Sequence, residues 1–110
     1  MTSDLKRYDI YFADLNPTQG SEINKIRPVV VVSQHEMNKY LETIVICPLT
    51  SRIHPQWRSR IQIQCAGKKA EIVVDQIRTL SQNRLKQKID HLSPEDAQKL
   101  RIVITDMYGE

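Results

Sequence analysis

Arg27 stands directly before Pro28 and the run Val29-Val30-Val31-Val32, and Thr50 closes a second apolar run, Thr43-Ile44-Val45-Ile46-Cys47-Pro48-Leu49. An arginine beside a hydroxyl suits a phosphodiester, because the guanidinium grips two phosphate oxygens as a fork and the hydroxyl adds a further hydrogen bond. Donors aimed at the charge of a pentacoordinate phosphorane supply roughly 3 to 4 kcal/mol each and need no metal ion. Glu22, five residues before Arg27 in the same segment, is a candidate proton acceptor, although a carboxylate in a polar loop is commonly just solvated. If the two apolar runs are antiparallel neighbours, the start of one and the end of the other share a sheet edge, and Arg27 meets Thr50. Taken singly, the two residues have plainer readings as a surface arginine and a turn-forming threonine.

Other groups offer weaker chemistry. Asp75-Gln76-Ile77-Arg78 combines an acid, an amide and an arginine that can read base edges, or form an ordinary salt-bridged strand. His54-Pro55-Gln56-Trp57-Arg58 holds the sole tryptophan, which can stack on an unpaired base, anchor a partner protein, or fold back over the core. His35, His54 and His91 have no neighbouring Ser or Cys arranged as a nucleophile and its base. Cys47 and Cys65 lie singly in apolar or alternating segments, without zinc-ligand spacing, and read as reduced core thiols of a cytoplasmic protein.

The elements that must position these groups follow from periodicity. Tyr8 to Leu15 is rich in aromatic and β-branched residues and runs into the turn signal Asn16-Pro17-Thr18-Gln19-Gly20, so it reads as a first strand. Pro28 to Ser33 is a second strand buried on both faces, with proline tolerated at its start. His35 to Leu41 reads as a short irregular helix, and Thr43 to Leu49 as strand three. Ser59-Arg60-Ile61-Gln62-Ile63-Gln64-Cys65 alternates strictly and gives a half-buried fourth strand. After a turn at Ala66-Gly67-Lys68-Lys69, Glu71 to Asp75 and Gln76 to Leu80 supply strands five and six, and the sheet is expected to end near Ser81. The alternation of Arg84, Lys86 and Lys88 with Leu85, Gln87 and Ile89 marks a solvated strand face.

Ser93-Pro94-Glu95-Asp96 carries the signals of a helix start: a serine cap, proline at the first position, and acid three residues after the cap. Leu100, Val103, Ile104 and Met107 then form one apolar stripe. Six short strands and a terminal helix, joined by loops, predict a mainly β fold: mostly antiparallel strands closed into a small barrel.

With 110 residues, 40% of them hydrophobic and 26% charged, the chain is expected to form a single domain over 1–110 with its own core. The net charge of +3 permits a polyanionic partner without demanding one, so clustering has to decide. Apolar runs of four or five residues fall far short of the ~20 that a membrane helix needs, and no membrane role is expected.

In order along the chain, Asp9-Ile10-Tyr11-Phe12-Ala13-Asp14-Leu15-Asn16-Pro17, Gly20-Ser21-Glu22, Arg27-Pro28 with the valines, Pro48-Leu49-Thr50-Ser51 and Asp75-Gln76-Ile77-Arg78-Thr79 resemble the MazF/PemK/Kid toxins. The resemblance runs from about Tyr8 into the terminal helix. It implies an SH3-like barrel and the toxin of a type II toxin-antitoxin pair. The activity implied is that of a homodimeric, metal- and cofactor-independent endoribonuclease that cuts single-stranded RNA at short motifs, leaving a 2',3'-cyclic phosphate and a 5'-hydroxyl. By the same resemblance Arg27 and Thr50 are catalytic, with Glu22 the weaker candidate for base. Ser21, Ser51, Arg52, Asp75, Gln76 and Arg78 are the RNA-binding candidates. The implied partner is an antitoxin whose acidic, disordered tail competes for the RNA groove.

Departures from the pattern fall at Tyr8, where the family commonly has glycine, and at Ser21 and Val73, where some members carry histidine and arginine. Two other activities fit the same fold: a gyrase-poisoning toxin, whose relatives end their helix in Trp-Gly-Ile where this chain has Met107-Tyr108-Gly109, and an RNA-binding relative without nuclease activity.

Overall fold

The computed structural model describes residues 5–15 and 25–109. The strands are β1 (Asp9–Asp14), β2 (Ile26–Val31), β3 (Thr43–Thr50), β4 (Arg60–Cys65), β5 (Lys68–Val73), β6 (Arg78–Ser81) and β7 (Leu85–His91). The α-helices are α1 (His35–Tyr40) and α2 (Pro94–Tyr108), and short 3-10 turns at Val74–Gln76 and Gln82–Arg84 flank β6. All strand pairs are antiparallel, in the order β4-β5-β3-β2-β1-β7 with β6 also on β3. The sheet curls into a half-barrel with α2 against it, as the barrel reading required.

The long strand β3 makes the curl possible. Its first half pairs with β2 and β6, and its end, Leu49 and Thr50, pairs with β5. Valines 29 to 31 and Cys47 are inaccessible at the centre. Alternate valines feed two packed clusters: Val30 joins Ile10, Leu49, Ile72 and Leu100, whereas Val29 and Val31 join Ala13, Ile44 and Leu80. A strand buried on both faces has no polar side to spare, which is why this one reads as an unbroken apolar run.

The expectation that the sheet ends near Ser81 is corrected by β7, which pairs with β1 along its length. Two register shifts, between Ile10 and Tyr11 and between Tyr11 and Ala13, put an extra residue on β7 each time. Such bulges break the two-residue period by which a strand is recognised. The β4–β5 connection is also tighter than the expected four-residue turn. Ala66 and Gly67 have φ of 51° and 81°, as a two-residue hairpin turn of mirror-image type requires, and Lys68 already pairs with Cys65.

Tyr8 has φ 76°, a left-handed conformation that costs a bulky residue about 1 to 2 kcal/mol. Its N–H donates to the Val31 carbonyl and its own carbonyl accepts from Leu92 N–H, so neighbouring strands hold it there. Glycine adopts that conformation freely, so Tyr8, a departure from the resembled pattern, carries a strain that glycine would not.

On α2, Ser93 accepts the Asp96 N–H at 3.1 Å, the cap expected from the sequence. Leu100 is buried, and Val103, Ile104 and Met107 pack beside it against the core. Ser93→Ala is expected to destabilise the protein by about 1 kcal/mol, read as a lower urea midpoint at unchanged slope. Both cysteines are unpaired and buried. Burial, with Asp75 adding to it, pushes the Cys47 thiol up to about 12, so it stays protonated and unreactive. Among the described residues no helix is long and apolar enough to cross a membrane.

Candidate active-site cleft

Pro28 disfavours helical backbone at Arg27, and β2 begins with Arg27 paired to Ala13 of β1. On its other side β2 pairs with β3 as Val29 with Pro48, Val30 with Cys47 and Val31 with Ile46. Continuing that register by two residues brings Arg27 level with Thr50. Both line one cleft of about 300 Å3, with Ser51, Phe12, Lys68 and Lys69 around them. The lining described holds three fixed cations and no carboxylate, a balance that favours a phosphate group. Thr50 Oγ1 accepts the Arg52 N–H at 3.2 Å, which turns the chain out of β3 and leaves the hydroxyl proton to be donated elsewhere.

The β4–β5 hairpin forms one wall. Its tip is clamped by Asp90 of β7, whose carboxylate accepts the N–H groups of Ala66 and His91, each at 2.8 Å. These two bonds, Ala66 first, hold the Asp90 carboxyl below its ordinary range against a small opposing effect of burial. The bulged residue Ile89 of β7 reaches the same cleft. Lys68 and Lys69, read from the sequence as turn residues, are thereby cleft cations. The two-residue turn at Ala66-Gly67 was the signal that could have found them.

Behind Thr50 lies a group that sequence reading missed. Glu71 of β5 is the register partner of Thr50 on one side and of Gln62 on the other, and it is wholly buried. Its carboxylate accepts from Arg60 at 2.8 Å, Gln62 at 2.8 Å and the backbone N–H of His54 at 2.5 Å, with the His54 ring at 3.3 Å. Burial would raise its pKa, but the His54 N–H, then Arg60, Gln62 and the His54 ring, hold it below the usual carboxylate value. The loop leaving Thr50 is thus tied back to β5 by a buried anion. Arg60 also binds Asp75 at 2.9 Å, and the two carboxylates keep its guanidinium charged against the effect of burial.

Trp57 is stacked on His54, ring centroids 4.0 Å apart, with the Arg60 guanidinium 4.6 Å from its own centroid. It packs on this knot with half of its surface exposed. Of the remaining candidates, Ser51 lines the cleft and Arg52 is exposed just beyond it, while Asp75, Gln76 and Arg78 lie outside the cleft lining. Ser21 and Glu22 lie outside the described residues.

Residues 6–108 match the family model of the PemK-like, MazF-like toxin of type II toxin-antitoxin system. The chain is 37% identical to the Endoribonuclease MazF of Staphylococcus saprophyticus, over 96% of this chain and 92% of the relative. Its fold superposes on a crystal structure of MazF from Deinococcus radiodurans with a TM-score of 0.84, at 19% identity and covering 96% of each chain. It also superposes on an endoribonuclease in complex with its cognate antitoxin from a mycobacterial species, with a TM-score of 0.78 at 18% identity, covering 99% of this chain and 96% of that one.

Proposed function

Because the chain belongs to the PemK-like, MazF-like toxins of type II toxin-antitoxin systems, we propose that it is an endoribonuclease whose reaction centre is the Arg27–Thr50 cleft. The observation that carries this reading is that Arg27 and Thr50 line one cleft whose described lining holds three cations and no carboxylate. In the proposed reaction the 2'-hydroxyl of the RNA attacks the adjacent phosphorus. The P–O5' bond breaks, and a 2',3'-cyclic phosphate and a 5'-hydroxyl remain. Arg27 stabilises the charge on the nonbridging oxygens, and Thr50 donates a hydrogen bond to the same group. Lys68 and Lys69 hold flanking phosphates as point charges, and Ser51 and Arg52 extend the strand's contacts beyond Thr50. Glu22 is the candidate acceptor of the 2'-hydroxyl proton.

The relative solved with its cognate antitoxin supports an antitoxin partner here too, with an acidic tail matched to the cationic cleft. A homodimer would set two such clefts beside one groove, and clustering of charge would then offset a net charge of only +3. Incubating the purified protein with long single-stranded RNA in EDTA tests the reading. The expected result is cutting at a recurring short motif with 5'-hydroxyl ends. Intact RNA, or 5'-phosphate ends, would overturn it.

A further inference from the structure

A second, larger cleft of about 520 Å3 opens between the Lys6–Asp9 turn, β7 and α2. Lys6, Arg7, Lys88, His91 and Arg101 line it, and Asp9 is the one carboxylate among the described lining residues. Asp9 is already satisfied by Lys88 at 3.3 Å and by the Lys6 N–H at 3.2 Å. Among the described residues no carboxylate pairs with Lys6, Arg7 or Arg101. Among the described residues, then, no carboxylate neutralises the charge of Lys6, Arg7 and Arg101 in this cleft.

Tyr8 organises that charge. Its ring lies 5.1 Å from the Arg7 guanidinium and 5.7 Å from that of Arg101, and Arg101 donates to its hydroxyl at 3.2 Å. The left-handed backbone of Tyr8, bonded to Val31 and Leu92 on either side, fixes the ring and with it both guanidinium groups. Arg7 Nε is buried with no hydrogen-bond acceptor among the described residues, a donor that an anion in the cleft would satisfy.

We propose that this cleft binds the phosphate chain of a small phosphorylated molecule, of the nucleoside di- or triphosphate class, at a site separate from the Arg27–Thr50 cleft. Guanidinium forks from Arg7 and Arg101 match phosphate oxygens in pairs, and Lys6 contributes a mobile point charge. The volume lies within the range of small-molecule sites. The walls are supplied by a locked turn, a strand and a helix, and the exposed large apolar residues that a membrane or protein partner would seek lie elsewhere.

The test is calorimetric titration of the full chain with inorganic pyrophosphate, with ATP, and with a short single-stranded RNA. Pyrophosphate and ATP are expected to bind one to a chain. The Arg7→Gln/Arg101→Gln protein should bind both at least tenfold more weakly, and Arg27→Ala should change neither by more than twofold. Should the double variant fail to fold, the exposed single change Arg101→Gln is expected to weaken pyrophosphate at least threefold with an unchanged melting temperature. Absence of pyrophosphate and ATP binding, binding of RNA alone, affinity unmoved by these arginine changes, or affinity lost in Arg27→Ala would each overturn the proposal.

Discussion

Arg27→Ala is expected to slow RNA cleavage at saturating enzyme by about 100- to 1,000-fold, the usual consequence of losing one well-aimed donor to a developing oxyanion. The melting temperature should stay close to that of the wild type. Arg27 is half-buried at the mouth of β2 and belongs to neither core cluster. The size of the effect follows from where the group is held. Pro28 and the inaccessible valines behind it fix the strand, so little entropy remains to be lost when the guanidinium meets a phosphate. Single-turnover rates separate this from binding. Loss of affinity alone would leave the rate unchanged at high enzyme, whereas the proposed role in the transition state lowers it.

Glu71→Ala is expected to cost about 3 to 5 kcal/mol of stability, because it leaves the Arg60 guanidinium without one of its two carboxylates and strips the acceptor from the His54 N–H and Gln62. Denaturant unfolding reads this directly, and a protein that does not fold at all is the extreme of the same result. Glu71→Gln keeps the shape and supplies the pH test. The folded protein holds the Glu71 carboxyl below its ordinary value, so its stabilising contribution is present above the unfolded pKa of about 4.3 and is lost as the pH falls through the lower folded value. The stability gap between wild type and Glu71→Gln should therefore be constant at neutral pH and close only below about 4. Cleavage should also fall in Glu71→Gln, since Glu71 ties back the loop that follows Thr50.

The approach of Arg27 and Thr50 to one cleft was legible because two continuous apolar runs, one opened by a proline, leave few ways to align an antiparallel pair. The α2 cap and stripe were legible because both depend on residues within a few positions of each other. Glu71 was not. A glutamate between Ala70 and Ile72 reads as an outward strand residue, and its burial depends on Arg60, Gln62 and the His54 N–H arriving from other segments. The 84–89 alternation reads as a solvated strand face with the sheet ended near Ser81, because the pairing of β7 with β1 joins segments far apart in the chain, Asp9 with His91 and Ala13 with Leu85, and carries two bulges. Lys68 and Lys69 were assigned to a turn that in fact closes within Ala66-Gly67, and that shortening is what carries them to the cleft.

In the proposed reaction the RNA supplies its own nucleophile at the Arg27–Thr50 cleft. Its most direct test is a matched pair of cleavable oligonucleotides in EDTA, one all-ribose and one with a single 2'-deoxyribose on the 5' side of the scissile bond. The all-ribose strand is expected to be cut to a 2',3'-cyclic phosphate and the substituted strand to stay intact at that bond. Cleavage of both strands at similar rates would contradict it.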